Sequence, residues 1–510
     1  MRSKQALGSR RLLDFARLRE YNDLKSTKCR ETNASRLTEV PSGATKSCGS
    51  AYFMHGGGLA LVFSSVSFLF FFLTVVIALY FIVPGRFRGG RNFVLLAASL
   101  FFYACAGLRA LPLLLFSVLL DWGAGLLLPR VRRRKALLAA AVTLHLALLF
   151  WFKYAGFAAG VFGIPLPEIT LPIGISFFTF QGLSYVVDVY RGDTPPNRSL
   201  AQVALYISFF PQLIAGPIVR YTDVALDMNE RRETLDAAAE GAARFIFGLG
   251  KKCILSNALA ELSDRAFACT SDELSAGLAW LGMIAYTLHI YYDFSGYSDM
   301  AIGLGRLFGF RLPENFNYPY ISGSVTEFWR RWHMTLSGWF RDYLYIPLGG
   351  SRRSLPRNIL NLLIVWALTG FWHGADWNFL IWGLWYAAFL IGERYVWRGA
   401  FARLPAALRH VLTLLVVMLG WVWFRASGPK EALDYFAALF SGPLWSGEAT
   451  YWLSELWPEL LLGAILAAPV YPALKKRLGL WNYFLALAVF GLAVSSLLAA
   501  GFNPFIYFRF

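Results

Sequence analysis

A neutral imidazole can take a proton from a hydroxyl near physiological pH. The stretch Thr369-Gly370-Phe371-Trp372-His373-Gly374-Ala375-Asp376-Trp377 sets one at the end of an apolar run, with glycines on either side. Small neighbours leave room for a substrate, so His373 is a candidate general base, a role worth roughly 10²- to 10⁴-fold in rate. The plainer alternative is a buried histidine held by hydrogen bonds. A second stretch, Glu327-Phe328-Trp329-Arg330-Arg331-Trp332-His333-Met334-Thr335-Leu336-Ser337, runs on to Arg341-Asp342-Tyr343 and the turn Pro347-Leu348-Gly349-Gly350. Arginines interleaved with tryptophans suit a helix lying at a membrane interface. The same positive charge could hold the phosphates of coenzyme A, and a simple interfacial anchor would need no ligand at all. The third stretch, Tyr291-Tyr292-Asp293-Phe294-Ser295-Gly296-Tyr297-Ser298-Asp299, puts two carboxylates six residues apart in an otherwise apolar segment. Charges in such a setting are expensive and need partners or water.

The elements that position these groups must be membrane helices. Of the 510 residues, 57% are apolar and 17% aromatic, and the mean hydropathy is +0.49. Apolar runs recur at close to the roughly 20 residues a helix needs to cross the hydrocarbon. The net charge of +17 could suggest nucleic acid, but the basic residues sit in short runs between apolar segments, which reads as topology. Five cysteines show neither CxxC nor metal-ligand spacing, so neither a metal site nor a bound cofactor is expected. Spans are expected over 62–83, 92–106, 111–128, 136–151, 173–189, 243–262, 276–304, 359–372, 379–391, 411–423, 460–471 and 483–501. Residues 200–218, with Pro211 and Pro217 around Gly216, suit a re-entrant segment. The fold class is thus an all-α membrane protein, a polytopic bundle of roughly 11–13 transmembrane helices with re-entrant and interfacial helices. Basic clusters at 86–91, 130–135 and 398–409 set the cytoplasmic side, leaving both termini on the opposite side, which for a bacterial source is the periplasmic side of the inner membrane.

Residues 1–55 differ from the transmembrane domain at 56–510: they carry 11 Lys and Arg against 5 Asp and Glu and lack a signal-peptide order. Translocating that charge opposes the positive-inside tendency, so the tail reads as disordered or as a spurious extension, with Met54 a candidate start. Among the other histidines, His145 and His410 lack a polar constellation and read as packing residues, His289 as structural, and His55 falls in the tail region.

Across these stretches the sequence resembles the membrane-bound O-acyltransferase (MBOAT) family, in the bacterial branch that includes alginate acetylation, teichoic-acid D-alanylation and peptidoglycan acetylation. The resemblance is carried by Phe209-Phe210-Pro211-Gln212-Leu213-Ile214-Ala215-Gly216-Pro217-Ile218-Val219-Arg220, by 293–299 and 329–350, and by Trp372-His373-Gly374. It implies the MBOAT fold and makes His373 and His333 the family's two histidines. Arg330, Arg331, Trp332, Asp293, Asp299 and Gln212 become candidates for substrate or donor binding. It also implies an acyl thioester, acetyl-CoA, entering from the cytosol. Periplasmic acetyltransferase partners and a polysaccharide as final acceptor follow from it, with no nucleic acid. Its C-terminal motif maps to Asn503-Pro504-Phe505-Ile506-Tyr507-Phe508-Arg509-Phe510, where Tyr507 would relay the acyl group or merely anchor the chain at the interface. Two rivals remain at this stage. A glycan transporter lacks support from duplicated halves with broken helices, and a metal-dependent glycosyltransferase lacks a DxD motif.

Overall fold

The computed structural model describes residues 61–270, 273–500 and 505–506. The 1–55 tail, Met54 and His55 lie outside the described residues, as does Tyr507. The described residues contain helices and turns and no strand.

Apolar composition and small-residue spacing explain the main helices. Arg88–Gly107 (α1) and Leu111–Leu127 (α2) form one 40-residue apolar unit, followed by Arg134–Leu149 (α3). Ile175–Arg191 (α4) packs on α2 and α3 and is buried along almost its whole length. A short helix, Leu200–Ser208 (α5), leads into an irregular segment buried from Phe209 to Val219. This is the buried turn that the prolines foretold, because Pro cannot donate to a helical ladder. Leu235–Gly250 (α6), Asn257–Ala268 (α7) and the 32-residue Ala276–Leu307 (α8) form the centre. α6 and α8 run antiparallel in backbone contact. A Cβ on Gly241 would lie 2.6 Å from Gly303 O, and one on Gly248 2.6 Å from Gly296 O. These two glycine pairs, seven residues apart, are the small-residue seam that lets membrane helices approach closely.

The tryptophan-arginine stretch is not one interfacial helix. It breaks into Val325–Arg331 (α9) and Met334–Phe340 (α10) at His333, whose φ is +43°. Two backbone bonds hold the break, Asn317 N–H to Arg331 O and Met334 N–H to Asn315 O, both 2.9 Å. Trp329 and Trp332 are buried in protein, so their rings serve the core and not a belt in the headgroups.

Leu355–His373 (α11) and Trp377–Ile391 (α12) form a tight hairpin. A Cβ on Gly370 would sit 2.2 Å from Phe379 O, and one on Gly383 2.2 Å from Trp366 O. Ala406–Arg425 (α13) packs against α12. The expected span at 460–471 is displaced: the helix there is Gly447–Leu466 (α14), and it meets the next helix at a bend of 84° just before Val470. Pro469 explains the break, since its ring excludes the residue before it from helical geometry. Trp481–Ala500 (α15) ends the bundle.

By length and apolarity alone, four helices qualify as spans among the described residues, or five if the bent pair is one. The others are shorter or carry polar groups that face protein. α8, for example, buries His289, Asp293, Ser295 and Ser298.

Candidate active site

His373 is the last residue of α11, and Gly374 ends that helix in extended geometry with φ −162°. A Cβ on Gly374 would fall 2.1 Å from the Phe379 ring, so only glycine lets the chain turn there with α12 packed so close. The imidazole is buried in an aromatic box. Its ring centroid lies 4.9 Å from Trp372, 5.0 Å from Trp382 and 5.2 Å from Phe424.

The helix end that presents His373 is held from the N-terminal half. Lys153 Nζ donates to Trp372 O at 2.5 Å and to His373 O at 3.3 Å, and Tyr154 Oη donates to Phe371 O at 2.9 Å. The final carbonyls of a helix carry partial negative charge and have no partner within it. A lysine and a tyrosine in succession therefore cap α11 and fix its last side chain.

His333 is the second histidine, with its ring centroid 6.5 Å from that of His373. It is 1% exposed. Its Nδ1 lies 3.0 Å from Asn315 Oδ1, which also accepts from Thr335 N–H at 3.3 Å and from Thr335 Oγ1 at 2.9 Å. A backbone N–H can only donate, so the Asn315 atom facing it is the oxygen, and in neutral His333 the proton sits on Nδ1. Nε2 is left as an acceptor, and no group among the described residues bonds to it. Thr335 Oγ1 also accepts from Ile218 N–H at 3.0 Å, which ties the buried 209–219 segment to this site. The left-handed backbone at His333 is costly for a residue with a Cβ, and such strain gathers at functional positions.

Two cavities lie at opposite ends of the antiparallel α12–α13 pair. The larger, about 660 Å³, is lined by Arg330 and Glu327 of α9, by Leu390 at the end of α12, by Glu393, Arg394 and Arg398 beyond it, and by Arg409 at the start of α13. Its two carboxylates are engaged. Glu393 caps α9 through Val325 N–H at 2.6 Å and Thr326 N–H at 2.8 Å, and Glu327 pairs with Arg331 at 2.9 Å. None of the four cavity arginines makes an ion pair among the described residues. The smaller cavity, about 220 Å³, is lined by Asp376, Asn378, Phe379, Arg425, Ala426, Ser427 and Ile506. Phe379 and Leu390 of α12, which line the smaller and the larger cavity, stand eleven apart, or about 17 Å along the axis. His373 stands between: α9 carries Trp329 to Trp382 at 5.6 Å, Trp382 touches His373, and Phe424 links His373 to Phe379 at 5.2 Å.

The remaining sequence candidates separate. Arg330 enters the larger cavity, whereas Arg331 turns to Glu327 and Asn317 O. Trp332 stacks within the core on Phe328 and Trp421. Gln212 donates to Tyr206 O at 2.7 Å, inside the buried turn. Asp299 is held by Lys251 at 2.6 Å and Arg244 at 2.9 Å. Asp293 forms a fully buried knot: Lys252 Nζ at 2.6 Å, Ser256 Oγ at 3.2 Å and the backbone N–H of Ile506 at 2.7 Å. His289 adjoins it through Ser256, at 3.0 Å from both Oγ and O. Phe505 and Ile506 are 1% and 3% exposed, so these two residues are pinned in the core.

Sequence reasoning missed Lys153, Tyr154, Asn315, Trp382 and three of the cavity arginines. It also misjudged His145, which does have a polar partner: Asp121 Oδ1 lies 2.7 Å from Nε2. That carboxylate belongs to the neighbouring helix α2, where Gly182 of α4 makes room for it.

The buried histidine pair thus lies in a bundle of apolar helices, with a cavity toward either end of α12. The chain belongs to the membrane-bound O-acyltransferase family: the model of that family matches residues 194–424, which hold Gln212, Asp293, His333 and His373. It is therefore a multi-pass membrane O-acyltransferase. Among its relatives, the probable alginate O-acetylase AlgI of Azotobacter vinelandii is 39% identical over 510 residues, covering 88% of this chain and all of that protein. The probable alginate O-acetylase AlgI of Pseudomonas aeruginosa is 44% identical over 410 residues, covering 78% of this chain and 77% of that protein. The peptidoglycan O-acetyltransferase of Helicobacter pylori is 35% identical over 415 residues, covering 73% of this chain and 78% of that protein.

Proposed function

We propose that this enzyme moves an acetyl group from cytosolic acetyl-CoA across a bacterial inner membrane, for O-acetylation of an extracellular or periplasmic polysaccharide such as alginate. The observation that carries the reading is the position of His373 and His333 between an arginine-lined cavity and a second cavity at the far end of α12. Arg330, Arg394, Arg398 and Arg409 surround a space that suits phosphate groups, which guanidinium groups bind through paired N–H donors. The acyl chain then extends inward past His333 to His373. There the imidazole takes the proton of the attacking hydroxyl, and the smaller cavity receives the acylated product. The names of the relatives support a glycan as final acceptor.

In this reading the larger cavity opens to the cytosol and the smaller to the periplasm, with both chain termini periplasmic and the bundle seated in lipid. Periplasmic acetyltransferase proteins would carry the group onward to the polymer. Tyr507, next to the pinned Ile506, is a candidate first acceptor; full acetylation in cells carrying Tyr507→Phe would remove it. Sidedness tests the whole reading. Inverted vesicles given radiolabelled acetyl-CoA outside should accumulate label on protein or glycan in their interior. Label confined to the outer solution, with the chain present and folded, would refute the proposal.

A further inference from the structure

Buried indole N–H groups normally find an acceptor, because leaving a donor unpaired in an apolar interior is costly. Several in this chain do. Trp339 donates to Phe180 O at 3.0 Å, Trp280 to Leu439 O at 3.0 Å, Trp385 to Val416 O at 3.1 Å and Trp421 to Tyr320 Oη at 3.2 Å. Four do not: the buried Nε1 atoms of Trp329, Trp372, Trp382 and Trp423 have no hydrogen-bond partner among the described residues, and Trp372 and Trp382 are the two that flank His373. Trp382 is 0% and Trp372 3% exposed. The planes of both rings lie nearly perpendicular to the imidazole, at interplanar angles of 82° and 79°, and Trp372 lies 6.0 Å from His333 as well. Two of the four unsatisfied donors thus stand against the imidazole, where an acyl group would have to sit, and Trp329 packs behind Trp382 at 5.6 Å.

We propose that Trp382 is a catalytic residue, and that its indole N–H, with that of Trp372 beside it, holds the oxyanion formed during acyl transfer. The inference rests on the reading of His373 as the base for attack on a thioester. In the first step the acceptor oxygen forms a bond to the thioester carbon, its proton passes to the imidazole, and the carbonyl π pair moves onto oxygen. That oxygen, now negative, accepts the indole N–H bonds. In the second step the C=O bond re-forms, the C–S bond breaks, and the departing sulfur takes the proton back from the imidazolium, so atoms and charge balance. Donors fixed before reaction need not reorganise, and in a water-excluded site each is worth more than in solution. An apolar box lined by N–H groups with no ground-state partner meets both conditions.

The test is the rate of label transfer from acetyl-CoA in inverted vesicles, measured across donor concentrations. Trp382→Phe keeps an aromatic ring and removes the N–H, and should lower kcat by about 10²-fold with the donor KM unchanged. To separate the donor from packing, Trp382 is also replaced by benzothienylalanine, which has sulfur in place of N–H at nearly the same volume. An isosteric variant as slow as Trp382→Phe supports the proposal. An isosteric variant at the wild-type rate overturns it, whatever Trp382→Phe does. If His373→Ala keeps the wild-type rate, the underlying reading fails; if His373→Ala is inactive while the isostere is fully active, only the oxyanion role fails.

Discussion

Two polar clusters are buried in the same bundle, and they are built in opposite ways. Around Asp293 the groups are spent on one another: the carboxylate takes Lys252, Ser256 and the Ile506 N–H, and His289 is held by Ser256. Around His373 and His333 the polar atoms are aimed but not used up. His333 Nε2 and the Nε1 atoms of Trp372 and Trp382 have no bond among the described residues, and neither does Asn378 Oδ1 in the smaller cavity. Desolvation makes an open donor costly unless something repays it. The closed cluster reads as structure, holding α8 to the end of the chain, and the open one as the place where substrate completes the bonding.

That contrast predicts separable effects. The largest belongs to the open cluster: His373→Ala should cut acyl transfer by roughly 10²- to 10⁴-fold, while the melting temperature of the detergent-solubilised protein stays close to wild type. The closed cluster should behave inversely. Asp293→Ala removes the carboxylate that Lys252 Nζ meets at 2.6 Å, and breaking a buried pair in this way costs about 3–5 kcal/mol, read as a fall in melting temperature and loss of folded chain. Should Asp293→Ala fold normally and fail only in catalysis, the assignment of that cluster to structure is wrong.

Smaller effects distinguish neighbours in sequence. Arg330→Ala removes one of four arginines from the larger cavity and should raise the KM for acetyl-CoA about tenfold, in line with loss of one charge-assisted hydrogen bond. Arg331→Ala breaks a half-exposed pair with Glu327, worth at most about 1 kcal/mol, and its donor kinetics should not change. Equal KM shifts in both variants would mean that the cavity is not where the donor binds.

Much of the centre was legible because chemistry inside an apolar sequence is conspicuous. Trp372-His373-Gly374 and the pair Asp293 and Asp299 stood out by type alone, and the helix pattern located α1, α2, α8, α11 and α12 within a few residues. What was hidden depends on contacts between distant parts of the chain. Lys153 is an unremarkable residue in an apolar run until it caps α11, some 220 positions later. His145 looked isolated because its partner, Asp121, lies on another helix. Arg398 and Arg409 read as topology signals, which their spacing also satisfies, Arg394 did not stand out, and only the return of α13 beside α12 gathers the three with Arg330. The break at His333 was invisible because the stretch keeps helical composition through it; the clamp comes from Asn315 and Asn317.

The central claim is that His373 works in an open site while the protein's stability lies elsewhere. It is tested most directly by the initial rate of acetyl transfer from labelled acetyl-CoA in inverted vesicles, comparing wild type with His373→Ala at equal amounts of folded chain. The account predicts loss of label at an unchanged melting temperature. Transfer at the wild-type rate by His373→Ala would contradict it.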